Sequence, residues 1–208
     1  MRRGFLLDQR GASAAEFALV LPIFLLFLLG MIDVGRYAWA LNEAEKATQI
    51  GARWLAVTDI IPGGDAATGL KNYSFATGSS VPQGSAVDIT KFPGVYCEST
   101  STTLTCTCKG TCPFSVAIDA TAQASFDAVV ARMQQIYPTI TKSNVRIDYD
   151  NSGLGFSGDP NGPDVAPLIT VSLKNLGFPL YFALGKAVPL PSFRYAITME
   201  DGSGTVSN

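Results

Sequence analysis

Histidine is absent from this chain of 208 residues. Histidine is the commonest general base and a frequent metal ligand, so its absence excludes a Ser-His-Asp triad and leaves any enzyme dependent on carboxylates, Lys, Ser, Cys or Tyr. Charged residues are also few, at 15%, and the net charge is -2, so the sequence offers no basic face for nucleic acid. The remaining composition, 47% hydrophobic, fits one compact domain plus a membrane element.

An apolar run near the N-terminus predicts a membrane-spanning helix. Residues 17–32 carry no charge, and with residues 12–16 the run reaches about 21 residues, or roughly 32 Å of helix. A cleaved signal peptide is the alternative, because basic residues precede the apolar core. The run is long for such a core and no A-x-A-like cleavage site ends it. We therefore expect an uncleaved span.

The charges around the run predict its orientation. Three arginines and one aspartate precede it, so the positive-inside rule places the N-terminus in the cytoplasm. We expect a cytoplasmic leader at residues 1–11, a transmembrane helix at 12–35 and a periplasmic α+β domain at 36–208. The bulk of the chain should therefore be periplasmic or extracellular.

Four cysteines fall in one short Ser/Thr-rich stretch beyond the span, within residues 94–113. An even number in an exported domain favours disulfides, with three possible pairings. A zinc site is the alternative, but the C-x8-C-x-C-x3-C spacing lacks the usual pair of C-x2-4-C knuckles. We expect no metal, and bonding between the second and third cysteines is the least favourable pairing because its ring would be strained. The four residues are Cys97, Cys106, Cys108 and Cys112.

Hydrophobic periodicity predicts an α+β fold in the exported part. An amphipathic helix at 36–58 continues the span and ends before the breaker PGG, and a second helix at 122–137 stops at a proline. The Gly/Ser/Pro-rich stretch 65–93 reads as loop with a short strand near 86–89. Strands that alternate apolar and polar residues follow within 144–200, and the absence of crossover helices makes the sheet antiparallel.

One loop has acids at spacings that suggest a cation site. Residues 148–159 overlap an EF-hand pattern, but the twelfth position is Asp rather than Glu and a strand precedes the loop. A connection between strands is favoured, and calcium binding stays open. The neighbouring GFSGD departs from a nucleophile elbow. We expect no catalytic residues and no cofactor.

Glu16 lies near the start of the apolar run. A carboxylate in hydrocarbon costs roughly 2.5–3.5 kcal/mol on insertion scales, so it needs a partner or a purpose. A protease could cut the small-residue backbone after Gly11, and the new α-amino group of Ala12 would then lie on the helix face of Glu16. The alternative is that Glu16 reaches the headgroup layer. Further along, Pro22 lacks an amide donor and should kink or loosen the helix.

The segment Q-R-G-A-S-A-A-E-F, followed by ALVLPIFLLFLLG and IDVGRYAWALN, resembles the N-terminus of the TadE family, the pilin-like minor proteins of tight-adherence (Tad, or Flp) pilus systems. The resemblance implies a type IV prepilin-peptidase site at Gly11 and Ala12, with Glu16 as its acidic residue. Phe17 stands where related Flp pilins usually have tyrosine. SGLGFSGDPNGPDVAPLITV and ITMED are more loosely similar to TadE-like ectodomains.

This resemblance implies a non-catalytic minor pseudopilin that takes part in pilus assembly. Its implied partners are a prepilin peptidase, other pilins and pseudopilins, an inner-membrane assembly platform and membrane lipid. The alternative is a single-pass membrane-anchored periplasmic domain that binds a ligand or acts as an enzyme. A third hypothesis, a disulfide-bridged adhesin released from the membrane, needs a cleavage site beyond the span, and the sequence offers none.

Overall fold

The computed structural model describes residues 12–100, 102–181 and 186–199. It begins with a single 45-residue helix, α1 (Ala12–Ala56), roughly 68 Å long at 1.5 Å per residue. The helix ends where the Thr58 hydroxyl donates to the carbonyl of Trp54, 3.0 Å away, and so satisfies one of the carbonyls that a helix end leaves unpaired. The long helix and the antiparallel sheet that follows confirm the predicted α+β fold class.

Within the described residues, two further α-helices, a short 3-10 helix (Lys142–Asn144) and seven strands follow α1. The α-helices and strands are α2 (Phe75–Gly78), β1 (Val95–Ser99), β2 (Leu104–Cys108), α3 (Ala120–Gln134), β3 (Val145–Asp150), β4 (Leu168–Leu173), β5 (Gly177–Pro179), β6 (Ala187–Pro189) and β7 (Phe193–Thr198). Five strands form one sheet in the order β2-β1-β3-β4-β7, with every neighbouring pair antiparallel. The strands β5 and β6 pair only with each other, as an antiparallel hairpin.

The chain divides into two compact units. The first contains the described part of α1 up to Ala40 together with Gly177–Pro189, and the second contains Leu41–Leu176 and the described residues from Leu190 onward. The second unit is interrupted between Leu176 and Leu190 by the hairpin segment. The N–H of Leu190 donates to the carbonyl of Leu176 at 2.8 Å.

The core of the second unit lies between helical and sheet residues. The last part of α1 contributes small residues, with Ala44, Ala47 and Gly51 buried, whereas the larger Leu41 and Trp54 are half-buried. A methyl group at Gly51 would lie 2.8 Å from the sulfur of Met133 in α3, so this glycine permits a close approach of the two helices. The sheet adds inward residues of alternating strand positions, among them Val95, Cys97, Ile147, Tyr149, Ile169 and Val171.

The structure differs from the sequence expectation at several element boundaries. Helix α3 begins two residues before 122, because the Asp119 carboxylate caps it by accepting from the N–H of Ala122 at 2.7 Å. It ends three residues before 137. The expected strand near 86–89 is wrong, since Asp88 instead accepts from the N–H of Thr90 in a turn. The end of the expected strand region, residue 200, lies outside the described residues.

The glycines that follow α1 fold the chain back on itself. Gly63 has φ +85° and lies against Gly69, where the Leu70 N–H donates to the Pro62 carbonyl at 3.2 Å. A methyl group on Gly63 would lie 2.6 Å from the carbonyl oxygen of Ser115. The position therefore requires glycine for its backbone conformation and for the space around it.

A comparison of two glycine substitutions separates these requirements. Gly84 has φ +79° with open space around it, so Gly84→Ala should cost about 1–2 kcal/mol of unfolding free energy from backbone strain alone. Gly63→Ala adds steric overlap and should cost about 1–3 kcal/mol more. Urea unfolding of the full chain in detergent, followed by tryptophan fluorescence, measures both. Equal losses would contradict the close approach at Gly63.

Candidate membrane and assembly segment

The first part of α1 presents an apolar surface in every direction. Its large side chains are exposed, with Leu19 at 74% and Ile23 at 71%. In the described part of the chain, the segment Ser13–Ala56 is the one helix long and apolar enough to cross a membrane, with a best window of mean hydropathy 2.6. A helix that is apolar all round is typical of a membrane span or a helix buried in an assembly. The finding fits a single-pass membrane anchor.

The predicted processing residues cluster at the start of this helix. Gly11 lies outside the described residues, and α1 begins at Ala12. Glu16, one turn later, is exposed and forms no ion pair with another described residue. The next side chain, Phe17, is 64% exposed. The carboxylate and the aromatic ring are thus both available to a neighbouring molecule.

Pro22 lies inside α1 without ending it. The helix continues unbroken from Ala12 to Ala56 around this residue. Proline removes one backbone donor and crowds the preceding turn, so the expected local loosening of the helix stays a prediction. The surrounding side chains are exposed, which leaves room for a neighbouring helix to approach this turn.

A charged and aromatic cluster that sequence reasoning missed lies directly after the apolar run. The Asp33 side chain is only 5% exposed; it accepts from Arg36 Nη1 and from the backbone N–H of Tyr181, each at 3.0 Å. The Arg36 guanidinium carbon lies 4.9 Å from the centroid of the Phe178 ring and 3.8 Å from that of Tyr181. The Tyr37 ring packs edge to face against the Phe178 ring, with centroids 5.7 Å apart. These contacts join α1 to the β5–β6 hairpin segment within the first unit.

The four cysteines form two disulfides. Cys97 in β1 bonds to Cys106, which lies directly opposite it in β2, and Cys108 bonds to Cys112. The adjacent pair that we considered least favourable is not bonded. Because every sulfur is committed to a disulfide, the cysteines hold the edge of the sheet rather than a metal.

A row of alternating charges crosses the sheet. Arg146 is its centre: Nε donates to Asp148 at 2.9 Å, Nη1 donates to Glu98 at 2.8 Å, and the guanidinium carbon lies 4.0 Å from the centroid of the Tyr96 ring. Lys109 bridges Asp148 and Asp150, and Lys174 pairs with Glu98. Each acid is matched by a neighbouring cation.

These ion pairs shift the pKa values of Glu98 and Asp148 downward. Hydrogen bonding from Lys174 is the main cause for Glu98, helped by Arg146 and opposed by partial burial. For Asp148, burial raises the pKa, but hydrogen bonds from Arg146 and Lys109 outweigh it and the net shift is downward. A lowered pKa means that the folded state favours the charged carboxylates, so the row stabilises the fold. A general acid needs a raised pKa, and the row therefore does not resemble an acid-base site.

The loop with the EF-hand-like spacing is occupied by structural contacts. Its first two acids are paired with Lys109, and the backbone N–H of Asp159 donates to Asp164 Oδ1 at 3.1 Å. The other oxygen of Asp164 accepts from the N–H of Phe75 at 2.6 Å. Among residues 12–100, 102–181 and 186–199, no group of three or more His, Cys, Asp or Glu side chains could hold a metal ion.

Comparison with known proteins gives a family match at the N-terminal part of the chain. Residues 11–53 match the model of the family TadE, described as TadE-like protein. No curated protein and no solved structure matches the chain. The matched residues include Glu16, Pro22 and the Asp33–Arg36 pair, and they stop short of the sheet, the disulfides and the hairpin. The looser resemblance of the later segments lies outside this match.

The charged row predicts how the fold responds to acid. Since the pKa values of Glu98 and Asp148 are lowered on folding, their contribution is present above about pH 4 and is lost as the pH falls through the folded-state values. Arg146→Ala removes the shared partner, so acid unfolding should begin at a higher pH. Circular dichroism recorded as a function of pH measures the pH at which unfolding begins.

The matched control is Arg194→Ala, which removes an exposed arginine from β7 of the same sheet. Its acid-unfolding curve should overlay that of the unaltered protein. If Arg146→Ala and Arg194→Ala give the same curve, the charged row does not stabilise the fold.

Proposed function

We propose that this chain is a minor pseudopilin, a non-catalytic component that takes part in assembly of a Tad/Flp pilus for adherence. The proposal is supported by the match of residues 11–53 to the TadE-like family, which suggests a protein of the Tad pilus system. The observation that carries the proposal is the first part of α1, which is apolar on every side and bears a single acid, Glu16, one turn from its start. Other pilin helices can pack on such a surface.

Processing after Gly11 by a prepilin peptidase is the first step of the proposed role. Cleavage would leave Ala12 with a free α-amino group, four residues before Glu16 on the same helical face. An amine and a carboxylate at this spacing can pair within one chain or between neighbouring chains. In a low-dielectric membrane such a pair offsets the cost of burying the carboxylate.

The proposed location is the bacterial inner membrane, with the N-terminus cytoplasmic and the second unit periplasmic. The two disulfides support this orientation, because oxidised cysteines persist in exported domains. The partners in this role are the peptidase, other pilins and pseudopilins of the same system, the assembly platform and membrane lipid.

The second candidate is a membrane-anchored periplasmic domain that binds a ligand or acts as an enzyme. Its support is the cleft lined by Lys71, Asp59 and Asp159 in the second unit. Lys71 is paired with Asp59 at 3.1 Å, and Asp164, which also lines the cleft, uses both carboxylate oxygens for backbone contacts. These pairings favour a structural role, so the pseudopilin is the better-supported function.

N-terminal mass spectrometry of the protein from its native membrane tests the processing step. In a strain with the prepilin peptidase the mature chain should begin at Ala12, and in a strain without it the leader of residues 1–11 should remain. An intact leader in both strains would sink the proposal of cleavage.

Substitution of Glu16 tests the assembly role. Glu16→Ala should still insert into the membrane, because it makes the apolar run more apolar, but it should reduce piliation and crosslinking to partner pilins. Glu45→Ala is the control: it removes an exposed glutamate from the same helix outside the apolar run. Unchanged piliation in Glu16→Ala would contradict the assembly role and favour the alternative that Glu16 only reaches the headgroup layer.

A further inference from the structure

We propose that the β5–β6 hairpin is a second membrane contact, held by Asp33 in the outer headgroup layer of the bilayer that the apolar run spans. The proposal rests on the membrane-embedded role proposed above and adds to it an element outside the residues of the family match. The partner is the layer of phospholipid headgroups. Three observations on the first unit carry the inference.

The first observation is position. Asp33 follows directly on the apolar residues 17–32, so it lies at the outer end of the span. The Tyr181 N–H is 3.0 Å from its carboxylate. The headgroup region adds roughly 5–8 Å on each side of a hydrocarbon core about 30 Å thick. A backbone hydrogen bond at this point places Tyr181 within that layer whenever the run spans the bilayer.

The second observation is the strength of the attachment. Besides the hydrogen bond to Tyr181, the hairpin inserts Phe178, only 6% exposed, between Tyr37 and the Arg36 guanidinium. The Pro179 carbonyl lies 3.5 Å from Arg36 Nη1. Moving the hairpin away would leave the Asp33 carboxylate without its backbone donor and expose Phe178. The hairpin is therefore held at a fixed level of α1.

The third observation is the chemistry of the remaining exposed side chains. Tyr181 is 61% exposed, and Lys186 and Val188 of the hairpin segment are also exposed. Aromatic rings with polar edges are enriched at membrane-water boundaries, and a lysine there can pair with lipid phosphate. The surface thus combines groups suited to the headgroup layer.

Tryptophan quenching by brominated lipid measures the depth of the hairpin. The full chain carrying Trp39→Phe and Trp54→Phe receives Tyr181→Trp, which keeps an aromatic ring over Arg36. It is reconstituted in phosphatidylcholine and phosphatidylglycerol vesicles with bromines at carbons 6 and 7 or at carbons 11 and 12. Tyr181→Trp should lose more emission with the shallow bromines.

The reference for depth is Phe24→Trp in the same background, since residue 24 lies about 12 Å along the helix from residue 32. It should lose more emission with the deep bromines. If neither lipid quenches Phe24→Trp, the span itself, and with it the proposed function, is wrong. If Phe24→Trp is quenched and Tyr181→Trp keeps its full emission in both lipids, the hairpin contact is overturned while the span stands.

Substitution of Asp33 tests the attachment in the Tyr181→Trp protein. Asp33→Ala removes the acceptor for the hairpin, so quenching by the shallow bromines should fall. Asp33→Asn keeps an oxygen that can accept from the backbone N–H and should retain most of the quenching. Undiminished quenching in Asp33→Ala would overturn the assignment of Asp33 as the group that holds the hairpin at the bilayer.

Discussion

One unbroken helix is exposed on every side along its apolar first part and buried in a core along its last part, and this constraint shapes the rest of the chain. Up to Ile32 the helix α1 carries an apolar surface that no described residue covers, and from Ala40 onward its buried residues are mainly small. Gly51 lets α3 come so close that a methyl group at this position would lie 2.8 Å from the Met133 sulfur. Large exposed residues in the first part and mainly small buried residues in the last part thus give one helix two kinds of surface.

The Asp33–Arg36 ion pair lies directly after the apolar first part of α1. A carboxylate that is 5% exposed is costly unless hydrogen bonds compensate its lost hydration. Here the compensation comes from Arg36 and from the backbone of Tyr181, about 150 residues later in the sequence. The residues that end the apolar run are thereby tied to a hairpin that has no other partner strand among the described residues.

Long periodic elements could be predicted from the sequence, and elements defined by distant contacts could not. The first part of α1 is a long apolar run, its continuation has apolar residues at helical spacing, and β3 and β4 alternate apolar and polar residues, so these elements could be predicted. The two hairpin strands contain three residues each, and both begin or end with proline or glycine. No period is visible over so few positions. Asp33 and Arg36 gave the only local signal, an i, i+3 ion pair immediately after an apolar run.

The candidate site divides in the same way. Glu16 and Pro22 could be singled out because a carboxylate and a proline are unusual in an apolar run, and Phe17 because the N-terminal segment resembles the TadE family. The cysteine pairing could not, because it depends on strand register, which places Cys97 directly opposite Cys106. Asp119 as a helix cap was likewise visible only once the start of α3 was known.

The Cys97–Cys106 bond lies between the outermost strand β2 and its only neighbour in the sheet. With five residues, β2 has little burial of its own, since four of its residues are exposed or half-buried. Its place in the sheet is therefore secured by a covalent link that forms only where thiols are oxidised. In a reducing compartment β2 would lose this link and keep only its strand pairing with β1.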